Sequence, residues 1–220
     1  MQHHLTSPEI NAYAENISTA ESDALQRLNR ETNMKVELPI MLSGHLQGAV
    51  LNMMSRMLRP ARILEIGTYT GYSAICLAQG LTEGGMLHTI DINEELADMC
   101  HRYWEEAGLS DKITLHIGKA ADIIPGLDDT FDLVFIDADK VSYGRYYDLV
   151  IEKVRPGGFI FADNVLYDGE VILPEAEQSK NGKAINAFNE KIKNDPRVTQ
   201  VLLPIRDGIL MMQKLERTAE

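Results

Sequence analysis

From residue 61 onward, the chain alternates short apolar runs with amphipathic segments, and this alternation constrains the fold more than any other feature. The apolar runs, which predict strands, span residues 62–66, 86–90, 113–117, 131–137 and 157–163. The segments between them have helical spacing near residues 71–81, 93–107, 119–125 and 142–154. Strands separated by helices in this way indicate βαβ units, whose strands lie parallel in one sheet with helices on both faces.

The end of the chain predicts a different strand pairing. After a helical stretch near residues 180–193, two apolar runs at 198–205 and 209–215 flank the turn residues Arg206-Asp207-Gly208. Asp-Gly between two apolar runs is a hairpin signal. We therefore expect an α/β, doubly wound, seven-stranded sheet that is mostly parallel, with the last strand antiparallel.

Upstream of the sheet, the sequence predicts helices. Residues 8–32 have helical spacing, with Ser7-Pro8 at the predicted start, and residues 45–58 repeat the pattern. The second segment carries a stripe of methionines at positions 53, 54 and 57, which we expect to fill the core. Because the sequence shows no internal repeat or low-complexity linker, we predict a single domain over residues 1–220, with an N-terminal helical segment in residues 1–40.

Composition argues against several classes of function. The 220 residues include 21 Lys and Arg against 33 Asp and Glu, which gives a net charge of −12. Such acidity disfavours nucleic acid and anionic membranes as partners, and no apolar run approaches the ~18 residues of a membrane span. The N-terminus lacks the basic and apolar regions of a signal peptide, and His3-His4 is expected to be disordered. Cys76 and Cys100 are far apart, which is typical of core residues in a reducing compartment, so we expect a cytoplasmic protein.

The first strand leads into a glycine-containing turn, Gly67 to Gly71, that precedes a predicted helix. Glycine lets the backbone approach a ligand, and a helix N-terminus offers free N–H groups to an anion. The second strand ends in Asp91, 24 residues after Gly67, where a carboxylate can accept hydrogen bonds from both ribose hydroxyls. These features predict a nucleoside-containing cofactor. Tyr69 replaces the second glycine of the dinucleotide fingerprint GxGxxG, which argues against NAD or FAD.

Oxygen-bearing side chains follow the fourth and fifth strands. Because neighbouring parallel strands end side by side, Asp137, Asp163 and Asn164 can converge on one point. Two carboxylates and one amide oxygen suit Mg²⁺, Mn²⁺ or Ca²⁺ and not zinc. Lys140 lies three residues after Asp137, and a nearby divalent cation disfavours the charged form of a lysine, so Lys140 is predicted to be a general base. For Asp139 or Lys140 alone, a helix cap or a surface charge is the alternative.

Five segments carry a resemblance to a known family: EIGTYTGYSA (65–74), IDIN (90–93), GKA (118–120), FIDADKVSYGRY (135–146) and ADNVLYDG (162–169). In this order and spacing they resemble class I S-adenosylmethionine-dependent O-methyltransferases, and among these the metal-dependent catechol and caffeoyl-CoA branch. The similarity runs from about residue 38 to the end of the chain. It implies a Rossmann-like sheet, S-adenosylmethionine as cofactor, and Mg²⁺ (or Mn²⁺ or Ca²⁺) as metal.

The resemblance also implies a role for each matching residue. The residues that match cofactor-binding positions are Ser43, Glu65, Gly67, Thr68, Ser73, Asp91, Ala120 and Asp139. Among them, Asp91 matches the ribose-binding acid, and Ala120 matches the residue whose backbone lies by the adenine. The residues that match the metal ligands are Asp137, Asp163 and Asn164. Lys140 matches the candidate base, so Lys140 and Asp137 are the predicted catalytic residues.

The expected reaction is O-methylation of one hydroxyl of a vicinal aromatic diol of the catechol, protocatechuate or hydroxycinnamate type. Two segments differ from the plant branch of the family: Tyr167-Asp168-Gly169 stands where that branch has Asn-Gly and Trp, and SGHLQG (43–48) replaces SADEGQ. A caffeoyl-CoA-type thioester acceptor therefore stays as the alternative. Residues 1–40 and 166–182 are expected to shape the acceptor pocket, and the resemblance implies a homodimer.

Alternatives from other functional classes stay open at this point. A nicotinamide-dependent oxidoreductase would need the full GxGxxG that this chain lacks. A non-catalytic cofactor-binding protein would be expected to lose metal ligands or the lysine, and all four are present. Methyl transfer to an RNA base or an amine is disfavoured by the acidic composition and by the DADK and DN segments.

Overall fold

Seven strands form one sheet in the computed structural model, which describes residues 7–216. In chain order they are β1 (Arg62–Ile66), β2 (Met86–Asp91), β3 (Ile113–Ile117), β4 (Phe131–Ile136), β5 (Val154–Asp163), β6 (Val198–Leu203) and β7 (Ile209–Lys214). Their order across the sheet is β3-β2-β1-β4-β5-β7-β6. β7 runs antiparallel to β5 and β6, and all other pairs are parallel. This confirms the predicted sheet, whereas the prediction for His3-His4 lies outside the described residues.

Helices cover both faces of this sheet. They are α1 (Pro8–Ile17), α2 (Asp23–Lys35), α3 (Gly44–Leu58), α4 (Tyr72–Ala78), α5 (Ala97–Glu106), α6 (Ala120–Ile123), α7 (Tyr143–Ile151) and α8 (Lys180–Lys193). Side chains alternate along each strand, so Leu133 packs in a cluster with α2 to α5, and Val134 packs in a second cluster with α6 to α8. The sheet is therefore doubly wound. None of the helices within residues 7–216 is long and apolar enough to cross a membrane.

The N-terminal segment is helical but divided. The chain leaves the helical conformation at Ser18 and starts a new helix after Ser22. The Ser18 hydroxyl donates to the carbonyl of Ala14 (2.7 Å), and the Ser22 hydroxyl accepts from the N–H of Leu25 (3.4 Å). Serine side chains that bond the backbone in this way compete with helix continuation and favour caps.

Two of the three methionines in the α3 stripe do not fill the core as expected. Met53 is 59% exposed and Met57 is 76% exposed, whereas Met54 is partly buried and packs against the cluster that contains Leu133. The residues that α3 buries instead are Gln47, Gly48, Leu51 and Ser55. A Cβ on Gly48 would lie 2.6 Å from the ring of Tyr72, so glycine at this position lets α3 approach α4 closely. As a result, α3 turns a polar side chain, Gln47, toward the carboxyl end of the sheet, where its amide contacts Asp163.

The strand order reverses between β1 and β4, and open α/β sheets bind ligands outside the carboxyl ends of such strands. Gly67 follows β1 there with a positive φ of 101°. A Cβ on Gly67 would lie 1.9 Å from the carbonyl oxygen of Asp137, which follows β4. Only glycine allows these two turns to lie side by side, and their contact forms the floor of a cleft.

Candidate active site

A cleft of about 1040 Å³ opens at the carboxyl end of the sheet. The predicted site residues that line it are Ser43, Gly67, Thr68, Ser73, Asp91, Ala120, Asp137, Asp139, Lys140, Asp163 and Asn164. Glu65 differs from them, because it is fully buried within β1. Other walls come from residues 35–42, from Tyr167, Asp168 and Asn181, and from the β6–β7 turn. The structure therefore brings the two predicted groups of residues, for cofactor and for metal, to a single opening.

Backbone strain concentrates around this cleft. Within residues 7–216, seven residues other than glycine have a positive φ. Those that line the cleft are Leu38, Tyr69, Asn164, Tyr167, Asp168 and Arg206, and the seventh is Arg59. Left-handed backbone at a residue with a Cβ costs about 1–3 kcal/mol and persists where the surrounding structure enforces it, most often at functional sites. The strain thus marks the cleft independently of any sequence motif.

The Asp91 carboxylate fixes the glycine-containing turn. Its Oδ2 accepts hydrogen bonds from the backbone N–H groups of Thr68 (2.9 Å) and Tyr69 (2.8 Å). Its Oδ1 accepts from the N–H of Asn93 (2.9 Å). Asp91 is half-buried and lines the cleft, so part of its carboxylate faces the opening while the rest holds the turn. Asp91 therefore has a structural task in addition to the ribose contact that the sequence predicts.

Glu65 is a fully buried acid beneath this turn. Its Oε2 accepts from the hydroxyl of Thr89 (2.6 Å), and its Oε1 has no hydrogen-bond partner. Burial raises the pKa of Glu65 to about 8, and hydrogen bonds from Ser73 and Thr89 oppose this rise. Near neutral pH the carboxyl group is therefore largely protonated.

Lys140 joins the exits of β4 and β5. Its Nζ donates to Oδ1 of Asp137 (3.0 Å), to Oδ1 of Asn164 (2.8 Å) and to the hydroxyl of Tyr143 (2.8 Å). The Tyr143 hydroxyl in turn donates to the backbone carbonyl of Asp163 (2.9 Å). Burial raises the pKa of Tyr143 well above its ordinary value, so this phenol stays a neutral donor. The lysine is thereby fixed against two of the three predicted metal ligands.

Asp163, the third predicted ligand, is 3% exposed. Its Oδ2 accepts from Nε2 of Gln47 (2.6 Å), and its Oδ1 is buried without a hydrogen-bond partner. Burial and the charge of Asp137 raise the pKa of Asp163, and the hydrogen bond from Gln47 opposes this. A buried carboxylate oxygen without a donor, beside a second carboxylate and an amide oxygen, fits a hard divalent cation.

The predicted metal ligands are two carboxylates and one amide oxygen. Within residues 7–216, no group of three or more His, Cys, Asp or Glu side chains is arranged to hold a metal. The predicted set has only two such side chains, Asp137 and Asp163, and its third member is the amide of Asn164. Asp139 lies beside the set but bonds locally, accepting from the N–H of Ser142 (3.1 Å) and from the hydroxyl of Tyr146. It caps the helical turn that leads into α7, as one of the sequence alternatives proposed.

Around the predicted metal ligands, the residues without a sequence prediction include Gln47, Tyr143 and Arg206. The position of Gln47 had a usable signal, because it shares one helical face with residues 51 and 55, which are also buried. Arg206 had no local signal. Its Nη1 donates to Oε1 of Gln47 (2.9 Å), although the two residues are 159 positions apart in the sequence. Such a contact depends on the topology of the whole sheet.

Comparison with known proteins decides the family. A model of the O-methyltransferase family matches residues 15–215. The chain belongs to this O-methyltransferase family. Probable caffeoyl-CoA O-methyltransferase 2 of Dictyostelium discoideum is 36% identical over 208 residues, which cover 92% of this chain and 90% of the relative. Caffeoyl-CoA O-methyltransferase of Eucalyptus gunnii is 33% identical over 197 residues, covering 85% and 79% of the two chains.

Solved structures agree with this O-methyltransferase assignment. The S-adenosylhomocysteine-bound methyltransferase PaMTH1 of Podospora anserina has a TM-score of 0.86 and 28% identity, and the match covers 94% of both chains. The O-methyltransferase TomG of Streptomyces achromogenes, in complex with S-adenosylmethionine, has a TM-score of 0.86 and 29% identity, covering 94% and 96%. The protein is thus an S-adenosylmethionine-dependent O-methyltransferase, which displaces the oxidoreductase and the non-catalytic alternatives.

Proposed function

We propose that this O-methyltransferase methylates one hydroxyl of a vicinal aromatic diol with the help of a divalent cation held by Asp137, Asp163 and Asn164. One observation carries the proposal: the Lys140 ammonium touches oxygens of Asp137 and Asn164 beside the buried Asp163. A candidate base and a hard oxygen donor set therefore meet at one point of the cleft. That combination suits deprotonation of a phenol that chelates a cation through two adjacent oxygens.

The donor set has the chemistry of a Mg²⁺, Mn²⁺ or Ca²⁺ site. It presents two carboxylates and one amide oxygen, and Oδ1 of Asp163 is buried without a donor. When bound, such a cation supplies Lewis acidity that favours the phenolate form of an acceptor, whose pKa in water is about 10 for a simple phenol. We assign the cation to these three residues and expect Mg²⁺ to support activity.

Lys140 is the proposed general base. As the neutral amine, Nζ would take the proton from the acceptor hydroxyl. The Tyr143 hydroxyl accepts a hydrogen bond from Nζ (2.8 Å) and so helps to fix its position. The buried setting of Tyr143 gives this arrangement a fixed geometry, which is the main contribution that an enzyme makes to a displacement at an already activated methyl group.

The residues predicted to bind the cofactor line the same cleft. We propose that Asp91 binds the ribose, that Ala120 lies by the adenine, and that Ser43, Gly67, Thr68 and Ser73 surround the methionine part. Glu65 lies buried beneath this end, where its Oε2 accepts from the Thr89 hydroxyl (2.6 Å). S-adenosylmethionine supplies a methyl group on a sulfonium, so the donor needs no further activation and the cofactor residues have to orient it toward the acceptor.

A caffeoyl-CoA-type thioester is the alternative acceptor, and the names of the relatives favour it. A methyl-transfer panel with catechol, protocatechuate, caffeate and caffeoyl-CoA in Mg²⁺ separates the two, with the methylated position scored in each product. We expect methylation of one hydroxyl in the free diols, abolition by EDTA and recovery on adding Mg²⁺. Transfer that is insensitive to the chelator would refute the metal role, and transfer confined to caffeoyl-CoA would establish the alternative.

The assembly and the compartment stay predictions. The family resemblance implies a homodimer, and light scattering of the purified protein would check this. The cysteine pattern indicates a reducing compartment, with Cys76 and Cys100 both buried as free thiols.

A further inference from the structure

A chain of three side chains runs from the surface into the predicted metal site. Nη1 of Arg206 lies 2.9 Å from Oε1 of Gln47, and Nε2 of Gln47 lies 2.6 Å from Oδ2 of Asp163. The three residues come from the β6–β7 turn, from α3 and from the end of β5. The Arg206 guanidinium also donates to the backbone carbonyls of Leu42 and Ser43, just before α3 begins. Arg206 is therefore anchored to the same helix that presents Gln47.

The direction of the Gln47 amide is set by this chain. An amide side chain can present either its oxygen or its NH₂ group to a carboxylate, but only the NH₂ group makes a favourable contact. Guanidinium is a donor only, so Arg206 requires that Oε1 faces it. The NH₂ group must then face Asp163. Gln47 is 1% exposed, so bulk water cannot replace either partner.

The consequence falls on the two oxygens of Asp163. Gln47 engages Oδ2, whereas Oδ1 has no partner in the protein. We propose that Gln47, oriented by Arg206, is a positioning residue that holds Oδ2 of Asp163 and so leaves Oδ1 as the oxygen for the divalent cation. This inference rests on the proposed metal site. Partners that orient a metal ligand in this way typically change metal affinity by 10–100-fold when they are lost.

The same turn is tied to the segment that follows β5. Asp207, next to Arg206, is half-buried, and its Oδ1 accepts from the backbone N–H of Asp168 (2.7 Å). This bond helps to hold the turn that carries Arg206 in place.

The test measures metal affinity apart from turnover. Binding of Mn²⁺ is followed by loss of the free-ion signal in electron paramagnetic resonance for wild type, Gln47→Met and Arg206→Met. We expect the dissociation constant to rise about 10–100-fold in both variants. S-adenosylhomocysteine affinity in metal-free buffer should be unchanged in Gln47→Met, because Gln47 contacts Asp163 and Arg206 and does not line the cleft. Arg59→Met is the matched control, because Arg59 also has a positive φ but lies outside the cleft, and it should bind Mn²⁺ as wild type does.

The outcomes separate this inference from the proposed function. Wild-type Mn²⁺ affinity in Gln47→Met and Arg206→Met would overturn the positioning role and leave the metal site standing. Failure of the wild type itself to bind Mn²⁺ would overturn both. Equal losses of Mn²⁺ and S-adenosylhomocysteine affinity would show general damage and contradict the assignment. If Gln47→Met does not fold, Arg206→Met carries the same test from an exposed turn.

Discussion

The ammonium nitrogen of Lys140 lies 2.8 Å from the amide oxygen of Asn164. Lys140 follows β4 and Asn164 follows β5. Because Ile136 pairs with Ala162, the two strands end side by side. A shift of one residue in that pairing would turn the ligands of one strand to the wrong face of the sheet. The proposed chemistry therefore depends on sheet register, a property that no single motif contains.

Replacing Lys140 by alanine should remove most of the turnover and keep cofactor binding. A positioned general base typically contributes about 10²–10⁴-fold to the rate, so we expect a fall of that size in kcat with a diol acceptor. S-adenosylhomocysteine affinity, measured by calorimetry, should stay within about twofold of wild type, because Lys140 contacts the metal half of the cleft. Lys193→Ala serves as the control, since that lysine is 67% exposed and pairs with Glu190. Retained turnover in Lys140→Ala would refute the base assignment.

Replacing Asp91 by alanine should weaken cofactor binding with little effect on Mn²⁺ binding. The carboxylate is the proposed ribose ligand, and it also accepts two N–H groups of the glycine-containing turn, so both contributions are lost together. Asp91→Asn separates them, because an amide oxygen can still accept from the turn. We expect isothermal titration to rank cofactor affinity as wild type, Asp91→Asn, Asp91→Ala. Equal affinities in all three would count against the ribose contact.

Glu65 predicts an unusual dependence of stability on pH. Its pKa is about 8 in the folded protein and 4.5 for the ordinary group. Between these values the folded chain holds a proton that the unfolded chain has lost, so the free energy of unfolding falls as pH rises, by up to about 1.4 kcal/mol per pH unit. Glu65→Gln cannot titrate and should lack this component.

The measurement for Glu65 is urea unfolding of both proteins at pH 5.5, 6.5 and 7.5 without ligands. The stability of wild type relative to Glu65→Gln should fall at each step, since other groups titrate alike in the two proteins. A difference that does not change with pH would contradict the protonated state of Glu65.

Gly67 should not tolerate a side chain. A Cβ there would lie 1.9 Å from the backbone carbonyl of Asp137, and φ is also positive. Gly84 is a matched control, because its φ of +70° imposes similar strain while no atom lies within 4 Å of a Cβ at that position. We expect Gly84→Ala to lose about 1 kcal/mol of stability and Gly67→Ala to lose clearly more. Equal losses in chemical denaturation would show that the two turns are not in firm contact.

Much of the fold and most of the predicted site follow from local sequence. The strands of the sheet core are apolar runs bounded by polar residues, and Asp137 and Asp163 stand where those runs end, so spacing alone locates them. The helix break near Ser18 was not predicted, because serine stabilises both a helix end and a turn while the apolar spacing continues through it. The exposure of Met53 and Met57 was not predicted either, since the buried face of α3 is chosen by close packing at Gly48.

Strain around the cleft has a consequence for engineering. Six residues other than glycine line the opening with left-handed backbone, and a variant library selected only for heat resistance would gain stability by relaxing them. Asn164 is one of these positions and also a proposed ligand, so such gains would come with loss of catalytic competence. Arg59 carries the same backbone conformation away from the cleft, and Arg59→Gly offers relief there without that trade-off. Relief of backbone strain at Arg59 should therefore raise thermal stability without loss of activity, whereas relief at Asn164 should not.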